Sequence, residues 1–291
     1  MKSKQAVIFL LLTFLVTTTA GAACNTVCPP RDNTPEQHAL EYYQHTGVAQ
    51  DLTLHVISTR VQKAIATGSP ENIDLSSDTQ KIVRRVMEGI ALNDKNQEGT
   101  WVLEAPPIFL NRPSKKAFGL GVSLFGQETF RTFVAAHELA HATADIIAAS
   151  GRLRSEIPLA DADLVYDDVF SEVFADILAM IAVADVRGQD VQTVSRKVAY
   201  FRRKSLPFVS NTDRSNRTEQ ADVLADFAAH HADEAAKTHG VDAAIHLALG
   251  YLVSTGMFDP MLLTEEARQR IRDEGCDGCM ERRPLKHSVH H

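Results

Sequence analysis

Basic residues are fewer than acidic residues in this chain. Lys and Arg number 30 against 37 Asp and Glu, so the formal net charge at pH 7 is −7. A general nucleic-acid-binding protein needs a basic face to neutralise phosphates, and this balance argues against one. The basic run Arg202-Arg203-Lys204 is interpreted as the solvated end of a helix rather than as a binding patch.

Long apolar stretches are also lacking, apart from the N-terminus. Residues 6–16 are almost wholly apolar, with Lys2 and Lys4 before them and small residues at 20–23 after them. This order matches a secretory signal, and its apolar part is too short to cross a bilayer comfortably. We therefore expect residues 1–23 to be a signal peptide and the mature protein to be exported to the periplasm or secreted. A peripheral association with the cell envelope stays open.

Cysteine is scarce and confined to the two ends of the chain, at Cys24, Cys28, Cys276 and Cys279. An even number in an exported chain predicts two disulfides, with three possible pairings. A zinc site of four cysteines is the alternative, and export makes it the weaker one. Lipid anchoring through Cys24 is a further alternative, although a bacterial lipoprotein signal usually has an aliphatic residue where Gly21 stands.

Apolar residues at helical spacing dominate the rest of the chain, residues 24–291, which we predict to be a single domain. An N-terminal helical segment is expected at about 36–98, and a C-terminal helical subdomain at about 189–291. The individual helices are predicted at 36–46, 49–67, 79–92, 127–149, 161–185, 189–204, 219–237, 241–255 and 264–273.

Short apolar runs bounded by proline and glycine interrupt the helical pattern after Gly99. They predict strands at 101–103, 108–110 and 117–125. Gly126 ends the last of these runs, and a long helix is expected to begin near Gln127.

An H-E-x-x-H sequence, residues 137–141, lies inside that long helix. Residues four apart point to the same side of a helix, so the imidazoles of His137 and His141 can hold one metal ion together. Glu138 lies one step further round, where it can act on a water without ligating the metal. The motif predicts one bound Zn²⁺ with Glu138 as the catalytic base. The alternative is a pair of surface histidines on an amphipathic helix.

A catalytic zinc has three protein ligands and one open position, so a third ligand is needed. The best candidate is Glu172, which lies far enough past His141 for a turn and an antiparallel second helix. Asp176 is one helical turn beyond it and could accept a hydrogen bond from a ligand histidine. Both acids lie in an otherwise apolar helix, where unpaired carboxylates would be costly. The alternative is that both face solvent.

Two segments around these residues resemble a known class of enzymes. Residues 137–145 (HELAHATAD) resemble the active-site helix of thermolysin-like peptidases, and residues 171–177 (SEVFADI) resemble the glutamate helix of the same clan, the gluzincins. Residues 116–119 and the stretch after them are similar to prenyl-protein endopeptidases of that clan. The resemblance implies zinc on His137, His141 and Glu172, with Glu138 as the base and Asp176 and Asp145 supporting the ligands.

This resemblance covers about residues 101–185 and implies a zincin-like core. The predicted fold is α+β and mostly helical, with a short antiparallel sheet beside the active-site helix. The downstream histidine motif that stabilises the oxyanion in thermolysin has no match here. Candidates for that role are His231, which follows Asp226 at a spacing that could orient it, Tyr166 and Tyr251, and further His230, His239 and His246.

The sequence thus predicts an exported, zinc-dependent endopeptidase that acts on a protein or peptide substrate. The strand at 117–125 would lie beside the cleft and pair with an extended peptide. A zinc-stabilised binding or chaperone module that does not cleave is the alternative, and a helical structural protein with a coincidental motif is a third reading. Sequence does not set the substrate or the number of chains that assemble.

Overall fold

The computed structural model describes residues 27–45, 52–57, 100–103, 112–149, 168–208 and 214–275. Several sequence predictions fall outside these residues and stay predictions. They are the signal peptide, Cys24, Cys276, Cys279, Tyr166, the helix at 79–92 and the strand at 108–110.

Helices make up most of the described chain, in agreement with the predicted fold class. The helix predicted at 127–149 has those bounds, and the helix predicted at 219–237 is divided in two. In chain order the helices are α1 (Pro35–Gln44), α2 (Arg112–Phe125), α3 (Gln127–Ala149), α4 (Asp168–Arg187), α5 (Val191–Ser205), α6 (Arg214–His230), α7 (Ala232–Ala235), α8 (Val241–Ser254) and α9 (Glu265–Arg270). Short 3-10 turns occur at Leu206–Phe208 and Pro260–Leu262, and a π-helical turn at Ile271–Gly275.

A three-stranded sheet joins segments that lie far apart in the sequence. Its strands are β1 (Val27–Cys28), β2 (Leu54–Ile57) and β3 (Thr100–Leu103). β2 pairs antiparallel with β1 and parallel with β3, so the sheet is mixed and not antiparallel as expected. β3 packs against α3, which carries the H-E-x-x-H sequence. The expectation of a short sheet beside that helix is therefore confirmed.

The strand predicted at 117–125 is wrong, because these residues belong to helix α2. Phe118, Val122 and Phe125 recur at helical spacing and pack against the core. Gly121 lies directly against the ring of Phe130, so any larger side chain there would clash. The alternation of apolar residues with glycine predicted a strand. In the structure, Gly121 instead lets α2 approach α3 closely. The peptide-pairing strand expected beside the cleft is absent from this position.

The helix predicted at 49–67 is also wrong in part, since Leu54–Ile57 form β2. Leu54 and Ile57 are buried, and the strand is paired on both of its edges. Apolar spacing over four residues fits a helix or a strand, and pairing with β1 and β3 decided the outcome.

Helix α1 is fastened to α3 by two buried polar contacts. The Glu36 carboxylate accepts two hydrogen bonds from the Arg131 guanidinium, at 2.7 and 3.0 Å. The Tyr43 hydroxyl donates to the carbonyl of Ala136, at 2.9 Å. Ala136 directly precedes His137, so α1 supports the helix at the point where its candidate ligands begin.

The core is centred on α4 and α8, which are buried on nearly every side. Residues 173–184 of α4 and most of α8 are inaccessible to solvent. α4 packs against α3, α5, α6 and α8. It is therefore the element that brings the other helices together. Within the described residues, no helix has the length and apolar character needed to span a membrane.

Candidate metal centre

Two histidines one turn apart on α3 face each other across a short gap. Their rings lie 4.6 Å apart between centroids and are nearly perpendicular, at 89°. The Nε2 atoms of His137 and His141 are 3.1 Å apart. The helix therefore presents two imidazole nitrogens to one point, as the sequence spacing predicts.

Glu172 on α4 brings a carboxylate to the same point. Its Oε2 lies 3.6 Å from Nε2 of His137, and its Oε1 lies 3.8 Å from Nε2 of His141. One ligand atom from each of the three residues can be chosen so that all lie within 4.8 Å of one another. Among the described residues, His137, His141 and Glu172 thus form a group that could hold a single metal ion.

Each imidazole is held from behind through its Nδ1 atom. Nδ1 of His137 lies 3.0 Å from Oδ1 of Asp176, and Nδ1 of His141 lies 3.0 Å from the hydroxyl of Ser171. Ionised Asp176 can only accept, so His137 carries a proton on Nδ1. If His141 likewise donates to Ser171, both Nε2 lone pairs point into the gap. Lone pairs 3.1 Å apart repel, and a cation between them would remove that repulsion.

Asp176 is the centre of a buried ionic network. Its side chain is inaccessible to solvent and accepts from Arg202 Nε at 2.8 Å and Nη2 at 2.6 Å. Gln220 on α6 donates to its Oδ2 at 2.9 Å. Burial alone would raise the pKa of Asp176, but Arg202 and His137 hold it well below its usual range. The carboxylate is therefore ionised and orients His137.

Arg202 does not lie at a solvated helix end, as the sequence suggested. Its side chain is 17% exposed and is also close to the rings of Phe133 and Phe201, at 6.0 and 5.7 Å. Its neighbour Arg203 is 57% exposed and pairs with Asp222. Adjacent basic residues thus have opposite surroundings, because they project from different sides of α5.

Arg217 on α6 reaches the third ligand from the open side of the site. Its Nη1 donates to Oε2 of Glu172 at 2.5 Å and to Oε1 of Gln220 at 3.0 Å. The Arg217 side chain is 35% exposed. Burial alone would raise the pKa of Glu172, but the charges of His137, Arg202 and Arg217 lower it to about 2. Glu172 is therefore a carboxylate at any physiological pH.

The protonation state of His141 suits a metal ligand. Burial and the neighbouring His137 lower its pKa to about 3. The imidazole is therefore neutral near pH 7 and offers a lone pair without losing a proton first. With His137 in its neutral form, two imidazole nitrogens and one ionised carboxylate are a donor set that a catalytic zinc takes.

Glu138 lies beside the cluster without joining it as a ligand. Burial and the charge of Glu172 raise the pKa of its carboxyl, while the charges of His137 and Arg202 oppose the rise, and the result is about 7. A carboxyl with a pKa near neutrality can both take and return a proton. Its surroundings therefore agree with the role predicted for it.

Two of the oxyanion candidates, Tyr251 and His231, contact each other, and their recorded contacts within the described residues do not reach the metal group. The Tyr251 hydroxyl is hydrogen-bonded to the carbonyl of Val223 and to Asp226, at 2.7 and 3.1 Å. The His231 ring packs on Phe227 and Tyr251. These contacts engage Tyr251 away from the histidine pair. Asp145 lies on α3, and its side chain is outside the described residues, as is Tyr166.

Sequence reasoning missed four residues of the site: Ser171, Arg202, Arg217 and Gln220. Ser171 could have been found from the sequence, because it directly precedes Glu172 on the helix that was already assigned to the metal site. The other three come from α5 and α6 and carry no motif. Their type and spacing are those of ordinary helix surfaces.

Comparisons of the chain with protein-family models, with curated proteins and with solved structures give no match. Membership of the gluzincin clan accordingly stays a prediction. The function of the site is inferred below from its geometry and chemistry.

Proposed function

We propose that this protein is a zinc-dependent endopeptidase. The observation that carries the proposal is the convergence of His137, His141 and Glu172 on one point, with the carboxyl of Glu138 beside them. Imidazole nitrogen is a poor ligand for Ca²⁺ and Mg²⁺, which prefer oxygen, and two imidazoles with one carboxylate suit Zn²⁺. Zinc is therefore the metal proposed for this site.

The chain's own residues divide the work of peptide hydrolysis among them. A zinc ion held there would lower the pKa of a water and polarise the scissile carbonyl. Glu138 takes the proton from the attacking water on its carboxylate and returns it to the leaving nitrogen. Asp176 and Ser171 keep the two imidazoles turned towards the metal, and Arg202 keeps Asp176 ionised.

The proposed location follows from the sequence rather than from the site. The N-terminal signal pattern supports a protein or peptide substrate outside the cytoplasm, in the periplasm or the exterior. The two disulfides expected from the four cysteines fit the same location. Nothing in the charge balance favours a nucleic-acid substrate.

A zinc-stabilised binding or chaperone module is the second candidate function. One observation favours it: the Tyr251 hydroxyl is already engaged by Asp226 and Val223, so the oxyanion donor has no assigned residue. Glu138 argues for catalysis instead, because a purely structural zinc site has no use for a base with a pKa near neutrality.

The proposal is tested by zinc content and by turnover of an unstructured protein such as casein. The purified protein should contain one zinc per chain and cleave casein. A chelator should abolish the cleavage, and added zinc should restore it. One bound zinc without turnover would favour the binding module, and no bound zinc would overturn both.

A further inference from the structure

The two arginines beside the metal centre differ in what their guanidinium groups are occupied with. Arg202 is largely buried and gives two hydrogen bonds to Asp176, and its Nη2 also lies 3.8 Å from Oε2 of Glu172, so its charge is neutralised inside the network. Arg217 is twice as exposed and, within the described part of the chain, its recorded contacts all go through Nη1. Among the same residues, its Nε and Nη2 have no recorded acceptor.

Charge at the site leaves Arg217 only partly neutralised once a metal is held. Three carboxylates (Glu138, Glu172 and Asp176) face two guanidinium groups, those of Arg202 and Arg217. A divalent cation would bring the sum of these formal charges to about +1. Glu172 cannot fully neutralise both the cation and the guanidinium, so the open side of the site would attract an anion.

The position of Arg217 on its helix adds to this positive potential. It lies in the first turn of α6. That turn contains no acidic residue, and Arg214 is a second basic residue in it. The N-terminal end of a helix is itself positive, so a base there is unfavourable for the helix. Helix stability therefore does not account for Arg217. Glu172 is one anionic partner, reached through Nη1, and a second anion can approach the exposed part of the same guanidinium.

We infer that Arg217 binds a carboxylate of the peptide substrate close to the scissile bond. This inference rests on the proposed function and names the class of substrate for the same site. The carboxylate is supplied either by an acidic side chain or by the free C-terminus of the peptide. A guanidinium binds a planar carboxylate through two parallel hydrogen bonds, which gives both affinity and orientation.

The test measures peptide binding and not cleavage. Zinc-loaded Glu138→Gln protein is titrated with pools of short peptides, capped at both ends, that carry Glu at one fixed position or Gln instead. A third pool has the Gln sequence with a free C-terminal carboxylate. We expect one of the two carboxylate pools to bind on the order of 10–100-fold more tightly than the capped Gln pool. The pool that binds more tightly identifies the source of the carboxylate.

Arg217→Gln in the same background should abolish this preference, whereas Arg214→Gln should leave it in place. Arg217→Lys should restore part of it, because a point charge lacks the forked geometry. Zinc affinity of each variant is measured in parallel. An unchanged carboxylate preference in Arg217→Gln, whatever its zinc affinity, would mean that Arg217 only pairs with Glu172, and would overturn the inference. Equal binding of all three pools, or no binding of any, would overturn it as well.

Failure of this inference can be told apart from failure of the proposed function. Zinc content and casein turnover are measured on the unaltered protein, and neither depends on which peptides bind best. A protein that holds zinc and cleaves casein but shows no carboxylate preference keeps its proposed function and loses this substrate class.

Discussion

At the scale of single residues, the proposed roles of Glu138 and Glu172 require pKa values shifted in opposite directions. Glu172 must stay ionised to hold a cation, and neighbouring positive charges lower its pKa to about 2. Glu138 must exchange a proton, and burial raises its pKa to about 7. The two carboxyl groups thus differ because only Glu172 forms ion pairs with guanidinium groups, those of Arg202 and Arg217.

Glu138→Gln is expected to lower peptidase activity by about 10²–10⁴-fold, because an amide cannot accept the proton of the attacking water. Zinc content and melting temperature should stay close to those of the unaltered protein, since Gln has the same size. Glu128→Gln, at an exposed position on the same helix, is the matched control and should keep full activity. Unchanged turnover in Glu138→Gln would exclude Glu138 as the base.

His137→Ala and Glu172→Ala should each lose zinc together with activity, because two remaining ligands seldom hold a catalytic metal tightly. Asp176→Ala should weaken zinc affinity less, by roughly 10–100-fold. His230→Ala is the control, since His230 is exposed and pairs with Asp226. The measurement is zinc affinity by competition with a chromogenic chelator. Tight zinc binding by Glu172→Ala would show that the third ligand is wrongly assigned.

The sequence predicted the three candidate ligands on α3 and α4 but not Ser171. Helical spacing fixes which side chains share a face. His137 and His141 were found in this way. Glu172 was chosen as an acid in an apolar helix, and Asp176, one turn further, was expected to contact one of the ligand histidines, which the structure identifies as His137. Arg202 and Arg217 could not be found, since their arrival depends on how α5 and α6 pack against α4. Arg202 was even misjudged, because the run 202–204 contains one buried and one exposed arginine.

At the scale of helices, a buried polar network joins four of them at one point. His137 on α3, Asp176 on α4, Arg202 on α5 and Gln220 on α6 are linked by hydrogen bonds or ion pairs through Asp176. Buried ionic groups stabilise a fold only while every partner is present, because an unpaired buried charge is costly. The arrangement of these helices therefore depends on the same contacts that orient the candidate ligands.

Arg202→Leu should destabilise the protein by about 3–5 kcal/mol, because it leaves the carboxylate of Asp176 buried with one positive partner fewer. Arg203→Leu removes the neighbouring arginine, whose ion pair with Asp222 is exposed, and should cost less than about 1 kcal/mol. The free energy of unfolding of both variants is measured by urea denaturation without metal. Equal costs for the two variants would contradict the network described here.

Tyr43→Phe and Tyr42→Phe form a second matched pair, on α1. Tyr43→Phe removes the hydrogen bond to the Ala136 carbonyl and should cost about 1 kcal/mol. The Tyr42 hydroxyl is buried and has no hydrogen-bond partner among the described residues, so Tyr42→Phe should be neutral or slightly stabilising. Thermal unfolding compares them. A larger cost for Tyr42→Phe would refute the assignment of the contact between α1 and α3.

The helices α3, α4 and α8 could be predicted, because apolar residues at helical spacing continue over many turns in each of them. Short segments were not predictable in the same way. Leu54–Ile57 became a strand through pairing with β1 and β3, and residues 117–125 became a helix although Gly119 and Gly121 alternate with apolar residues. Pairing with distant strands decided the first case, and the second helix packs against α3 with Gly121 next to Phe130.

For the molecule as a whole, proton binding and metal binding compete for the same atoms. Burial alone would lower the pKa of His137, but the hydrogen bond and charge of Asp176 and the charge of Glu172 raise it above the ordinary value of 6.5. Below that raised pKa a proton occupies Nε2 of His137, and zinc must displace it. Metal binding should therefore be accompanied by proton release near neutral pH.

Zinc affinity is accordingly expected to be constant at high pH and to fall about tenfold per pH unit below the raised pKa of His137. The fall should begin above pH 6.5, the ordinary value for histidine. Asp176→Asn should move the onset to lower pH, because it removes the charge that raises this pKa. Titrations of the dissociation constant between pH 8 and pH 5 measure both proteins. An affinity independent of pH over that range would exclude His137 as a ligand.

Both imidazoles are held through Nδ1 by groups of the protein, and Glu172 already faces them, so folding alone arranges the three ligands. The protein therefore folds before it binds the ion. The ion need only displace Arg217 from one carboxylate oxygen on the open side, and no core has to open. Zinc uptake by the refolded, metal-free protein should then be complete within the dead time of manual mixing, far faster than global unfolding. The folded, metal-free protein can thus take up zinc directly from its surroundings.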